Sequence, residues 1–137
     1  MAKDDKPFRV VFYNPYHSGI APGQAYLDSC PEKIRARLLT TLVEISKAPP
    51  YKFRGGGLWE AMKGSMTGWF EVRISSGKTN HYRVYCVLDE KALNFSESLL
   101  VVVDGRTKKY LTTLSPSEYE KIRRLGESYF SVNPRLI

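Results

Sequence analysis

A chain of 137 residues with 42% apolar and 26% charged positions has material for one domain around one core, and no second domain is expected in residues 1–137. It lacks the run of about 18 apolar residues that a membrane-spanning helix needs, and its charged first residues lack the apolar core of a signal peptide, so a cytoplasmic protein with no membrane partner is expected. A formal charge of +7, from 21 Lys and Arg against 14 Asp and Glu, favours polyanionic partners, nucleic acid most simply. Cys30 and Cys86 are too few and too far apart for a zinc site or a disulfide framework.

Residues 8–13 (Phe-Arg-Val-Val-Phe-Tyr) read as a first strand, ended by the turn signal Asn14-Pro15. The glycines and proline of 17–23 read as a loop extension, with a short helical turn near Tyr26 and Leu27. Ser29 or Cys30 as cap, Pro31 in the first turn and Glu32 at the positive end of the dipole open a helix. Ile34, Leu38, Leu42 and Ile45, with Leu39 and Val43 beside them, give it an apolar stripe to about Lys47, where Ala48-Pro49-Pro50 stops it. Arg35, Arg37 and Lys47 point away from that stripe, towards solvent or towards a partner such as RNA.

Residues 52–57 (Lys-Phe-Arg-Gly-Gly-Gly) form a basic loop. Neither Gly55-Gly56-Gly57 nor Gly77-Lys78-Thr79 is a nucleotide phosphate loop. The first lacks the following Gly-Lys-Ser or Gly-Lys-Thr, and the second lies between two strands with Val72 where a glycine is required. Residues 58–64 lead into the central feature, a hairpin over 68–89 with a loop at 75–80.

Side chains alternate along a strand, so Phe70, Val72 and Ile74 share one face of the hairpin with Tyr82, Val84, Cys86 and Leu88. Glu71, Arg73, His81 and Arg83 must then share the other. An acid, an imidazole and two guanidiniums on one surface suit chemistry on a phosphodiester; they equally suit a solvated face with cross-strand ion pairs. Tyr82 belongs to the core, whereas Tyr85 faces the other way and could stack on a base. Trp69 is either a stacking platform or strand-edge packing.

Residues 90–98 read as a polar loop, and 99–103 as a central strand covered on both sides because the apolar run does not alternate. That strand is expected to end at Asp104-Gly105, which puts Arg106, Lys108, Lys109 and Tyr110 on a loop at the end of a buried strand. Ser115-Pro116-Ser117-Glu118 is a capping box. The helix it opens uses Ile122, Leu125 and Tyr129 as its inner stripe to about Phe130, and Asn133-Pro134 marks the tail.

Taken in order, Lys63-Gly64, the run Gly-Trp-Phe-Glu-Val-Arg at 68–73, Tyr-Arg-Val-Tyr at 82–85, and an apolar strand followed by Lys108-Lys109 and a last helix resemble the RelE/HigB superfamily of type II toxin–antitoxin toxins. The resemblance spans roughly residues 31–130. It implies an α+β, RelE-like fold: a mainly antiparallel twisted sheet of four to five strands, with an N-terminal helix or helices on one face, a short C-terminal helix, and a basic cleft on the other face. It also implies an mRNA endoribonuclease, ribosome-dependent, that stops translation without a metal or other cofactor.

The chemistry implied is attack of a ribose 2′-hydroxyl on the adjacent phosphate. Carried onto this chain, Glu71 is the base, Arg73 and Arg83 clamp the phosphate, and Lys109 or His81 is the acid. Lys63, Trp69, Tyr85, Arg106, Lys108 and Tyr110 are the RNA-binding candidates. Expected partners are mRNA, the ribosome and a cognate antitoxin of helix-turn-helix type, with a hetero-oligomer as the inactive form. Two alternatives share these features: a ParE-like gyrase inhibitor of the same fold, and an RNA-binding module without catalysis.

Overall fold

Alternating and wholly apolar segments assemble one five-stranded mixed sheet in the computed structural model, which describes residues 6–51, 57–77 and 79–137. The basic loop at 52–56 and Lys78 of the hairpin turn lie outside the described residues. Strands β1 (Arg9–Phe12), β2 (Trp59–Ala61), β3 (Phe70–Ser76), β4 (Asn80–Asp89) and β5 (Leu99–Lys109) lie in the order β1-β5-β4-β3-β2. β1 runs parallel to β5, and the other pairings are antiparallel. No described helix is long and apolar enough to cross a membrane.

Each face of the sheet has its own core. Helices α1 (Pro22–Ser29) and α2 (Glu32–Lys47) pack on one face, against Val72, Ile74, Tyr82, Val84, Cys86, Leu100 and Val102. Helix α3 (Pro116–Phe130) covers part of the other through Ile122 and Tyr129, against Tyr85, Val87, Leu99, Val101 and Val103. The face opposite α1 and α2 is therefore not an open cleft along its whole length. The unbroken apolar run of β5 is explained directly, because its side chains fill both cores.

The helical stripe of α2 is as expected at Ile34, Leu38, Leu42 and Ile45, all buried, whereas Leu39 and Val43 are exposed. Its cap differs. Pro31 occupies that position with an extended ψ of 146°, and Arg35 N–H donates to the Pro31 carbonyl at 2.9 Å. Ser29 and Cys30 instead end α1, a full helix where only a turn was expected, started by Pro22 in its first turn. In α3 the expected cap is formed, Glu118 N–H donating to Ser115 Oγ at 3.3 Å. β2 is an addition to the sequence reading: three residues on the outer edge of β3, with Trp59 stacked on Phe70 at 5.0 Å between ring centroids.

Strand β5 does not stop at Asp104-Gly105. The β4–β5 register shifts between Tyr85 and Cys86, where Cys86 faces Val102 but Tyr85 faces Asp104, leaving Val103 as an extra residue. A one-residue bulge exchanges the faces of everything beyond it. Asp104, Arg106 and Lys108 thereby join Tyr85, Arg83 and His81, while Gly105, Thr107 and Lys109 turn towards α1 and α2.

Gly105 is held there by Tyr26 of α1, whose ring occupies the space a Cβ would need. The Tyr26 hydroxyl donates to the Arg106 carbonyl at 3.0 Å and lies 2.9 Å from Thr107 Oγ1. Gly105→Ala is expected to cost about 1–3 kcal/mol by overpacking, read as a lower urea midpoint. Combined with Tyr26→Ala it should cost less than the two single changes added together, because they share one contact. An alanine variant as stable as the wild type would contradict this packing.

Candidate active site

Cross-strand register sets the side chains of the exposed face in three rows. Arg73 of β3 stands opposite Arg83 of β4, which stands opposite Arg106 of β5, giving a rank of three guanidiniums. The row on one side is Glu71, Tyr85 and Asp104; the row on the other is Ser75, His81 and Lys108. Adjacent strands are about 4.8 Å apart, and like charges directly opposite each other destabilise a sheet. The acidic row offsets this only in part.

Glu71 Oε1 lies 3.6 Å from Arg73 Nε and 4.0 Å from Arg83 Nε, and Asp104 Oδ2 lies 2.7 Å from Arg106 Nη1. With Lys108 included, four cations meet two carboxylates, so the rows keep a formal charge of +2. Arg83 is the most enclosed of the three arginines, its side chain 5% exposed against 41% for Arg73 and 25% for Arg106. A buried guanidinium beside an open one can hold two oxygens of a phosphate while water is excluded from one side.

Burial lowers the Arg83 pKa; Glu71 opposes this and Arg73 adds to it, though a guanidinium stays charged throughout. Burial and Arg83 likewise push the Lys108 ammonium below its usual value. Desolvation, then Arg83, Lys108 and Arg73, lower the His81 imidazole. His81 Nδ1 lies 2.8 Å from Ser75 Oγ, and its ring stacks on Tyr110 at 5.6 Å. The imidazole is thus oriented by a hydroxyl on one side and an aromatic ring on the other.

The expected residues sort by this geometry. Glu71, Arg73, His81 and Arg83 share one surface as alternation requires, joined by Arg106 and Lys108 through the bulge. Lys109 stands on the opposite face of β5, so His81 and Lys108 are the proton-bearing groups beside the arginines. Tyr85 is only 1% exposed and Trp69 8%, the latter packed against Gly126 of α3. Neither presents a ring to a base; their apolar surface fills the second core instead. Tyr110 is 43% exposed. Lys63 is exposed before the turn that leads into β3 and lies outside the three rows.

Three neighbours escape the sequence reading. Ser75 continues β3 rather than opening the hairpin loop. Asp104 arrives only through the bulge, which no residue pattern announces. Tyr119 comes from α3 and meets Tyr85 edge-on at 6.4 Å; burial first and the Glu71 carboxylate second raise its pKa. Among the described residues no group of three or more His, Cys, Asp or Glu is placed to hold a metal ion.

No protein-family model matches the chain, and no curated protein matches it in sequence. Its structure is similar to a chain in the crystal structure of the RelBE2 toxin–antitoxin complex from Mycobacterium tuberculosis, at 16% identity and a TM-score of 0.49, over 75% of this chain and 93% of that one.

Proposed function

We propose that this protein is a toxin of the RelE/HigB kind that cleaves mRNA, on the ribosome, without a metal ion. The observation that carries the reading is the rank Arg73, Arg83 and Arg106, flanked by one carboxylate row and one imidazole-bearing row. Glu71 accepts the proton of a ribose 2′-hydroxyl as its oxygen bonds to the adjacent phosphorus. The arginines hold the charge that grows on the phosphorane, and the bond to the 5′-oxygen breaks as that oxygen takes a proton from His81. The products are a 2′,3′-cyclic phosphate and a free 5′-hydroxyl. A cognate antitoxin, of helix-turn-helix type, would cover this site in the inactive complex.

Brief induction followed by primer extension on abundant messages tests the reading: new 5′ ends should accompany arrested translation. Intact transcripts with broken DNA would mark gyrase poisoning instead, and normal growth with intact transcripts would mark a binding module.

The pH profile tests the part played by His81. An acid with a depressed pKa must be protonated to act, so kcat/KM should fall as pH rises, with a midpoint below the usual value of about 6.5. Bound phosphate offsets the neighbouring cations, so the same limb in kcat should lie at higher pH. In His81→Gln both limbs should vanish along with most of the activity. A profile left unchanged by His81→Gln would remove His81 from the chemistry.

A further inference from the structure

β2 pairs with β3 only from Phe70 to Val72, and beyond the bond from Arg73 N–H to the Leu58 carbonyl at 2.9 Å no strand among the described residues pairs with the edge of β3. Around that edge the charged face communicates with the α2 side. An open pocket of ≈ 380 Å³ lies there, and its lining includes Arg73, Ser75, His81, Arg83 and, from α2, Arg37. Arg37 also lines a second pocket of ≈ 330 Å³ between α2 and β3, with Ala36, Thr40, Thr41, Leu58 and Ile74. No acidic side chain is among the described residues lining either one. A cationic mouth thus adjoins a shallow, largely apolar slot, with Arg37 and Leu58 common to both.

We propose that this groove is a nucleotide subsite: a phosphate next to the scissile one rests on Arg37 and Arg73, and the attached base enters the slot between α2 and β3. The inference rests on the RNA-cleavage reading of the neighbouring rows, and adds a path: the strand crosses the sheet from β5 to β3 and wraps over the β3 edge. Guanidiniums at the mouth fit a phosphate, and the methyl and methylene lining of Ala36, Thr40, Thr41 and Leu58 fits the flat apolar faces of a base. Selection of one flanking base would follow from this slot rather than from the arginine rank.

Equilibrium binding of a mixed-sequence 2′-O-methyl hexanucleotide pool, which cannot be cut, tests the subsite separately from catalysis. Arg37→Ala should weaken binding at low salt and flatten the plot of log K against log salt by about 0.7, the loss of one single-strand phosphate contact. Ala36→Trp, a change at an exposed helical position, should fill the slot and weaken binding about fivefold or more, with the salt slope unchanged. Both variants should keep the wild-type circular dichroism spectrum. Wild-type affinity and slope in both folded variants would overturn the proposal, and a loss confined to Arg37→Ala would overturn the base slot. If both variants behave as expected but the wild type cuts no message, the subsite stands and the nuclease reading falls.

Discussion

Glu71→Gln is expected to lower cleavage by about 10²- to 10⁴-fold, the usual contribution of a general base, while RNA binding is kept or tightened. The amide retains the shape of the side chain but cannot accept the 2′-hydroxyl proton, and removing a negative charge beside Arg73 and Arg83 strengthens the site for an anion. Binding and chemistry should therefore move in opposite directions. A merely structural Glu71 would lose both together, because the like-charged rank would be left less well compensated. In the proposed mechanism, replacing Glu71 and Arg83 together by alanine removes the base and the enclosed half of the phosphate clamp, and should abolish growth arrest while capture by the proposed antitoxin survives. Growth arrest by the soluble double variant at the wild-type level would reject this site.

The second large effect lies away from the site. Asp89 at the end of β4 is 3% exposed and accepts from Arg135 Nε at 2.8 Å, from the Tyr129 hydroxyl at 2.7 Å and from Lys91 N–H at 2.9 Å. Arg135 also donates to the carbonyls of Phe130 and Val132 and lies over the rings of Tyr129 and Phe130. Asn133 and Asn94 complete the join: Asn133 bonds Lys91 and Leu93, and Asn94 exchanges two bonds with Arg135. The polar 90–98 loop and the C-terminal tail thus fasten each other, and fix α3 where Tyr119 meets the site.

Arg135→Ala leaves the Asp89 charge buried without its partner, at a cost of about 3–5 kcal/mol. Against a total stability of about 5–15 kcal/mol this brings the chain close to unfolding. Asp89→Asn with Arg135→Gln should cost less than Arg135→Ala alone, since no unpaired charge is left inside. Burial works to raise the Asp89 pKa, but Arg135, Tyr129 and Lys91 outweigh it and hold it below the usual value. Its stabilisation is therefore present above the unfolded value of about 3.9 and is lost as pH falls through the folded value. The stability difference between wild type and Asp89→Asn should shrink as pH drops below about 4. An Arg135→Ala variant with the wild-type urea midpoint would contradict this account.

Period-two alternation in β3 and β4 is a local property, so it assigned both faces of the hairpin and brought Glu71, Arg73, His81 and Arg83 together. The cap at Ser115 is also local, and was found. The α+β architecture implied by the family resemblance, a mainly antiparallel sheet of four to five strands with an N-terminal helix or helices on one face and a C-terminal helix, is the one observed, with five strands and two helices on that face.

What escaped depends on contacts between distant segments. The bulge at Val103 moves Lys108 into the cluster and Lys109 out of it, and the reason is a register between β4 and β5 rather than any signal in β5 itself. Tyr85 and Trp69 carry the same aromatic character as a stacking platform, and only the docking of α3 decides that they are buried. β2 is too short to show a period.

The end groups of cleaved messages decide whether a 2′-hydroxyl or a water attacks the phosphate. RNA recovered soon after induction, or from programmed ribosomes mixed with the purified protein, should carry a 2′,3′-cyclic phosphate on the upstream fragment and a 5′-hydroxyl on the downstream one. Fragments with 5′-phosphate and 3′-hydroxyl ends, or messages left whole while growth stops, would contradict a site in which Glu71 and the arginine rank drive 2′-hydroxyl attack.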